Sequence, residues 1–325
     1  MMPRTSLRRA LPSIMVAIAL VLTGIAPAAA AEYPYPGTVT GDVAVHDPAM
    51  VKAADGTYFL FSTGNNLEIR TSTDRTAFRR AGVVFPNGAS WAHPFTGGTN
   101  TLWAPDISFH NGRYWLYYSA STFGSRNSAI FLATSTTAQP GSWTNQGLVV
   151  QTSNSSDHNA IDPNLVVDQS GAWWLTYGSF WSGIKMVRLD ASTGKPADST
   201  RYSLAQRPSS AGGAVEAPYI VYRGGYYYLF VSFDYCCRGT SSTYRVMVGR
   251  STSITGPYTD RNGVRLTSGG GTEVLATHGN ISGPGHAALL PDADGWLMAY
   301  HYYTSSGSRL GVNLVGWSGG WPALY

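Results

Sequence analysis

The chain is predicted to be all-β, a single-domain five-bladed β-propeller, and three observations carry that prediction. A turn glycine flanked by aromatic strand residues recurs five times: Gly56 in DGTYFLF, Gly112 in NGRYWLYY, Gly171 in SGAWWLTY, Gly225 in GGYYYLFV and Gly295 in DGWLMAY. These glycines stand 56, 59, 54 and 70 residues apart, which leaves room for four strands and long loops per unit, more than the ~40–45 residues of the most familiar propeller repeat. Nine residues before them come Asp47, Trp103, Asp162, Glu216 and His286. Equivalent positions of a propeller converge on one axis, so three carboxylates remote in sequence would face one pocket. A β-sandwich also supplies many short strands, but nothing in it calls for a fivefold repeat with a constant offset.

Each unit opens with a short apolar strand (AMVKA, DISFH, NLVVD, YIVYR, ALLPD) and turns at an Asp-Gly, Asn-Gly, Ser-Gly or Gly-Gly pair. Such pairs supply the positive φ that tight hairpins demand. An aromatic strand follows, then a third run such as AIFLATS, IKMVRLD or RVMVGRS, closed by the polar turns STDRTAF, STTAQPGSW, ASTGKP and STSITGPY. Helical periodicity is nearly absent.

Residues 1–31 read as an export signal, with Arg4, Arg8 and Arg9, an apolar run from Ile14 to Ile25, and small residues up to Ala31. The apolar run is short of the ~20 residues that span a bilayer. The expected mature protein is therefore residues 32–325, secreted and extracellular, without a membrane segment. Arg8-Arg9 leaves twin-arginine and general export both open. Three of the 22 basic residues and none of the 18 acidic ones lie in that segment, which leaves 19 against 18. So balanced a charge excludes a nucleic-acid footprint of clustered Lys and Arg. Aromatic residues make up 13% of the chain and charged residues 12%, a composition suited to aromatic surfaces on which sugars stack. No linker divides the chain, and a monomer is expected. The only cysteines, Cys236 and Cys237, are adjacent and cannot staple distant parts of the fold; a vicinal disulfide and two packed thiols both fit. Asn154-Ser-Ser and Asn280-Ile-Ser match the glycosylation acceptor pattern.

Asp47 sits in His46-Asp-Pro, Asp162 in Ile161-Asp-Pro and Glu216 in Val215-Glu-Ala-Pro. One isolated Asp-Pro reads as a turn. Three acids at one repeat position repel one another unless something uses them. Cleavage of a glycosidic bond does: one acid protonates the leaving oxygen and, for inversion, one base activates water across the sugar. A third carboxylate near the acid would raise its pKa and keep it protonated near neutrality.

HDPAM (46–50), WAPDISFHNGRYWLYYS (103–119), NAIDPN (159–164), YGSFWSGI (177–184), VEAPYIVYRGGYYYLF (215–230), FDYCCRGTSSTYRVMVGRSTSITGPY (233–258) and GPGH (283–286) resemble the endo-1,5-α-L-arabinanases of glycoside hydrolase family 43, a five-bladed propeller family. The likeness runs in order along nearly the whole mature chain. It implies an inverting hydrolase of arabinan and arabino-oligosaccharides, with Asp47 as general base, Glu216 as general acid and Asp162 as the residue that orients Glu216 and raises its pKa. It further implies that Gly124, Asn159, Ala160, Ile161, Ser179, Phe180 and Trp181 contact arabinosyl units beside Asp47 and Asp162. His286 matches a histidine next to a central Ca²⁺ reached largely through waters. One imidazole with waters is an unusual setting for that ion.

Trp103 shares the repeat position of the acids and is expected to be a sugar-stacking wall. Asp106, three residues on, reads as structural. Asp157 and His158 read as a solvated loop, while His93, His110 and His301 have no inferable partner. Rival readings are an exo-acting arabinosidase, a β-xylosidase or a retaining invertase-like enzyme of the same architecture, and a non-catalytic carbohydrate-binding propeller. Retaining relatives carry their nucleophile in Asn-Asp-Pro-Asn-Gly, which HDPAM is not. Lectin propellers repeat one ligand set in every blade, whereas here the equivalent positions diverge.

Overall fold

The turn glycines do mark five separate antiparallel sheets. A computed structural model describes Met1, Pro3 and residues 33–325, and the expected export signal, residues 1–31, otherwise lies outside the described residues. Blade 1 holds Ala49–Lys52, Tyr58–Ser62, Glu68–Ser72 and Ala77–Val83, with Thr40–Gly41 added parallel at its edge. Blade 2 holds Thr101–His110, Arg113–Ala120, Ser128–Ser135 and Thr144–Thr152, and blade 3 Asn164–Val167, Trp173–Tyr177, Ile184–Asp190 and then Lys195–Pro196 and Tyr202–Ala205. Blade 4 holds Val215–Arg223, Tyr226–Phe233, Arg245–Ser251 and Thr272–Leu275; blade 5 holds Ser282–Asp292, Gly295–Thr304, Gly307–Ser318 and Trp321–Leu324. The first strand of each blade adjoins the first strand of the next, and that of blade 5 returns to blade 1. The sheets are thus arranged as a closed five-membered ring.

Packing explains the aromatic content. Among the described residues the buried apolar side chains form five cores, one between each pair of adjacent blades: Phe61 and Leu116 belong to one, Tyr117 and Leu175 to the next, then Ile184 and Phe233, Phe230 and Met298, and Leu60 with Leu310. Wedge-shaped gaps between twisted sheets are filled by large flat side chains outside and small ones near the axis. The axial cavity, about 10 Å³, is lined mostly by Pro48, Ala49, Pro105, Pro163, Pro218 and Ala287.

Backbone geometry corrects the nine-residue offset. One residue per blade at the head of the inner strand takes a left-handed conformation, and these are Asp47, Ala104, Asp162, Ala217 and His286, with φ of 49°, 44°, 57°, 54° and 53°. In blades 2 and 4 the hairpin is one residue shorter, so counting back nine lands on Trp103 and Glu216, one residue before the equivalent site. A bulge accompanies the kink, with register shifts between Trp103 and Asp106, Glu216 and Tyr219, and Gly285 and Ala288. Asp47 and Asp162 therefore occupy the kink itself, whereas Glu216 precedes it.

Each kinked residue also ties its blade to a neighbour through its backbone N–H. Ala104 N–H donates to Thr63 Oγ1 (2.8 Å), Asp162 N–H to Ser119 Oγ (2.9 Å), His286 N–H to Ser232 Oγ (2.9 Å) and Asp47 N–H to His301 Nδ1 (3.1 Å). Ala217 N–H does the same, but its acceptor is the carboxylate of the neighbouring kink, Asp162 (3.0 Å). Two residues further in, Asp106 accepts from Asn164 Nδ2 (3.1 Å) and Leu165 N–H (2.8 Å), and Asn164 Oδ1 accepts from Ile220 N–H (2.9 Å). Asp106 is therefore structural, joining blades 2, 3 and 4. Asp106→Ala would leave two buried donors unpaired and is expected to cost roughly 2–5 kcal/mol, read as a lower unfolding midpoint.

Among the described residues no sheet is shared between the first strands and the last. Instead Asp292 of blade 5 accepts from Lys52 Nζ (2.7 Å) and Arg75 Nη1 (2.8 Å), and Gly37 N–H donates to Val312 O (2.8 Å). No helix among the described residues is long and apolar enough to cross a membrane.

Candidate active site

The kinks bring Asp47 and Asp162 to the same end of the ring as Glu216, and the three act on one another electrostatically. Asp47 is almost enclosed. Its Oδ2 accepts from Thr63 Oγ1 (2.6 Å) and lies 2.8 Å from His46 Nδ1, while its Oδ1 lies 3.2 Å from His286 Nδ1 and 3.4 Å from His301 Nδ1. Burial pushes the carboxyl up, but His46, His286 and His301 outweigh it, holding Asp47 well below the usual carboxylate range. Asp47 is thus ionised across the working pH range.

Glu216 and Asp162 go the other way. Burial comes first for both. Glu216 is pushed up to about 7, helped by the Asp47 charge and opposed by the Tyr244 hydroxyl and His46. Asp162 is driven well above the ordinary range by burial and then by Glu216 and Asp47, against the stabilising Ala217 N–H. Two mutually repelling buried carboxyls titrate as a pair, and this pair retains a proton near neutrality. Since Asp162 bonds the N–H of the residue after Glu216, it holds the backbone that aims Glu216. One ionised carboxylate opposite a protonated pair is an acid and a base poised at the same pH.

The remaining predicted residues form two loops clamped together beside Asp162. Asn159 Nδ2 donates to Ser179 Oγ (2.9 Å), Ser179 N–H to Asn159 Oδ1 (2.8 Å), Gly178 N–H to Ile161 O (2.7 Å) and Ala160 N–H to Thr152 Oγ1 (3.1 Å). Phe180 and Trp181 both have positive φ, 49° and 39°, and Phe180 N–H donates to Val215 O (2.8 Å), next to Glu216. Consecutive non-glycine residues in that region cost energy and mark a constrained loop. The loop closes at Gly183, where a Cβ would lie 2.0 Å from Ala205 O. Trp181 remains 37% exposed, with the Arg126 guanidinium 5.7 Å from its ring centre. Trp103 is half-buried, and its ring centre lies 5.1 Å from that of Phe123, which is 80% exposed and precedes Gly124.

Several residues at the site escaped sequence reasoning. His301, left without a partner, is buried and occupies in blade 5 the place of Thr63, Ser119 and Ser232. It lies fifteen residues after its kink, as do Ser119 and Ser232, and that spacing could have found it. His46, Tyr244 and Tyr303 carried no repeat signal. Asp157 is exposed but its Oδ1 lies 2.6 Å from Nδ1 of the buried His158. Cys236 and Cys237 form a vicinal disulfide.

The residues around His286 provide no oxygen cage for Ca²⁺, which takes roughly six to eight oxygen ligands. The protein offers one imidazole and Asp47 Oδ1, and the axial cavity of about 10 Å³ beneath holds about one water. His286 keeps 13% side-chain exposure, so an ion here would be held by His286 and by waters on the open side. The groupings of His46 with Asp47 and His301, or with Cys236 and Cys237, are rich in nitrogen and sulfur, and the two sulfurs are already bonded to each other.

Residues 38–322 match the model of the glycosyl hydrolases family 43. The extracellular endo-α-(1→5)-L-arabinanase 1 of Bacillus subtilis is 42% identical over 320 residues, covering 96% of this chain and 95% of that one. Among solved structures, the GH43 endo-arabinanase from Bacillus licheniformis superposes with a TM-score of 0.83 at 45% identity, covering 88% of this chain and 99% of its own. An exo-1,5-α-L-arabinanase from a bovine ruminal metagenomic library gives the same TM-score, 0.83, and the same coverage, 88% and 99%, at 40% identity.

Proposed function

This chain belongs to glycosyl hydrolases family 43, and we propose that within it the protein is a secreted, monomeric, inverting endo-1,5-α-L-arabinanase acting on arabinan and arabino-oligosaccharides. What supports the reading most is the divergent protonation of the three carboxylates, Asp47 held ionised while Glu216 and Asp162 are pushed up. In the proposed step Glu216 gives its proton to the glycosidic oxygen as the bond to the anomeric carbon breaks. Water attacks that carbon from the opposite side, and Asp47 takes the water's proton. Asp162 keeps Glu216 protonated and aimed. The clamped loops at Asn159–Ile161 and Ser179–Trp181, with Gly124 and the Trp103 wall, would hold the arabinosyl units.

Overall likeness does not separate endo from exo action, since relatives of both names superpose equally well. Incubation with linear 1,5-α-arabinan followed by product sizing does: mixed short oligosaccharides are expected, and arabinose alone would favour the exo reading. Proton NMR of the first-formed reducing end should show the β-anomer from the α-linked polymer. Initial α-anomer would remove Asp47 as a base.

A Ca²⁺ held through waters by His286 would supply positive charge near three converging carboxylates, and no step above runs through it. Elemental analysis is expected to find the ion in the native protein and not in His286→Ala, with a lower melting temperature for that variant and for chelator-treated protein. Metal-free native protein with unchanged melting and full activity would leave His286 as a structural imidazole.

A further inference from the structure

We propose that Tyr303, anchored by the backbone N–H of Cys237, is a positioning residue that fixes the tautomer of His46, so that His46 presents a protonated Nδ1 to Asp47. The inference rests on the reading of Asp47 as the base.

The assignment follows from counting donors. A backbone N–H can only donate, so the bond from Asp47 N–H (3.1 Å) makes His301 Nδ1 an acceptor. His301 is fully buried, which keeps it neutral, and its one proton must therefore sit on Nε2, 3.2 Å from Tyr303 Oη. Cys237 N–H also donates to that oxygen, at 2.9 Å. Both lone pairs of the Tyr303 hydroxyl are then taken. The Ser242 side chain also lies at this hydroxyl, but the shortest contact, 2.7 Å, is to His46 Nε2, and Tyr303 donates its own hydrogen there. With Nε2 accepting, the proton of a neutral His46 sits on Nδ1, 2.8 Å from Asp47 Oδ2.

The surroundings enforce this order. The His46 ring stacks on His301 with centres 3.9 Å apart and planes at 22°, and Cys237 Sγ lies 3.7 Å from His46 Nε2, so neither ring is free to turn over. Burial opposes charge on His46, but Asp47 and Glu216 outweigh it and raise its pKa; in either state Nδ1 carries a proton, and a second one would have to enter at Nε2 and face a hydroxyl whose lone pairs are already used. The contact from His46 Nδ1 to Asp47 is oblique rather than aligned, and Nδ1 has no other partner. A flipped tautomer would set a bare nitrogen lone pair against the carboxylate. The disulfide loop, kinked at Cys237 with φ of 65°, is thereby wired to the base through two side chains.

The test combines nitrogen NMR with a double-mutant cycle. The chain has seven histidines, so ¹⁵N-histidine spectra of native protein and of His46→Asn identify the His46 signals by subtraction; the Nδ1–H tautomer is expected. Tyr303→Phe is expected to lower kcat on arabinan about 10- to 100-fold by loosening the base, with KM within about twofold. His46→Asn places an amide N–H where Nδ1 was and should retain more activity than His46→Ala. In the His46→Asn background the Tyr303 change should cost nothing further, because Asn cannot reach the hydroxyl. An Nε2–H tautomer in native protein, or a Tyr303→Phe loss undiminished beside His46→Asn, overturns the relay. If Asp47→Ala keeps activity, the assignment of the base fails instead.

Discussion

Asp47→Ala and Glu216→Ala are each expected to reduce kcat on linear 1,5-α-arabinan by ~10²- to 10⁴-fold while leaving the fold intact. The two losses should differ in kind. Without Glu216 the leaving oxygen departs unprotonated, so an arabino-oligosaccharide carrying an activated aryl leaving group should be hydrolysed with a much smaller deficit than arabinan. Without Asp47 the attacking water loses its base whatever leaves, and both substrates should suffer alike. Folding is protected in the first case because Glu216 sits one residue outside the kink and its backbone, not its side chain, pairs with Ser232 across the blade. Removal of the Asp47 side chain frees Thr63 Oγ1, which still accepts the Ala104 N–H. Near-normal turnover on arabinan by either variant, with circular dichroism unchanged, would strip that residue of its role.

The blades could be read from sequence because a turn glycine with positive φ is a local requirement, and Gly56, Gly112, Gly171, Gly225 and Gly295 all meet it. The three acids were legible for the same reason: each lies within a residue of a kink that Pro follows, apart from blade 5. What a fixed offset could not show was that hairpins of blades 2 and 4 are one residue shorter, so that Glu216 and Trp103 are displaced from the kink. His46, Tyr303 and Tyr244 were hidden for a different reason. Their roles depend on which blade closes against which, and the contact of blade 5 with blade 1 joins residues more than two hundred positions apart, as His46 and Tyr303 are. The state of the cysteines was equally out of reach, since adjacency in sequence allows both a bond and two thiols.

Asp162→Asn is expected to move the alkaline limb of the kcat/KM profile to lower pH and to cut activity at neutrality. Native Glu216 stands at about 7, and it shares a buried site with a second carboxyl that is also pushed up. For such a pair the last proton leaves against the full charge of the partner, whichever of the two held it. Replacing one member by a neutral amide removes that repulsion, so the remaining carboxyl titrates earlier. The sign is therefore downward: burial and Asp47 still raise Glu216, but the partner charge no longer does. Far above both limbs each unit of displacement lowers the protonated fraction about tenfold, and at pH 7, where native Glu216 is half protonated at about 7, a one-unit shift should lower activity about fivefold. The acid limb, set by Asp47 far below, should stay in place. Asn can still accept the Ala217 N–H through its amide oxygen, which separates the charge effect from a loss of aim. Activity that falls equally at every pH, with the alkaline limb unmoved, would mean that Asp162 acts only by holding the backbone of the acid.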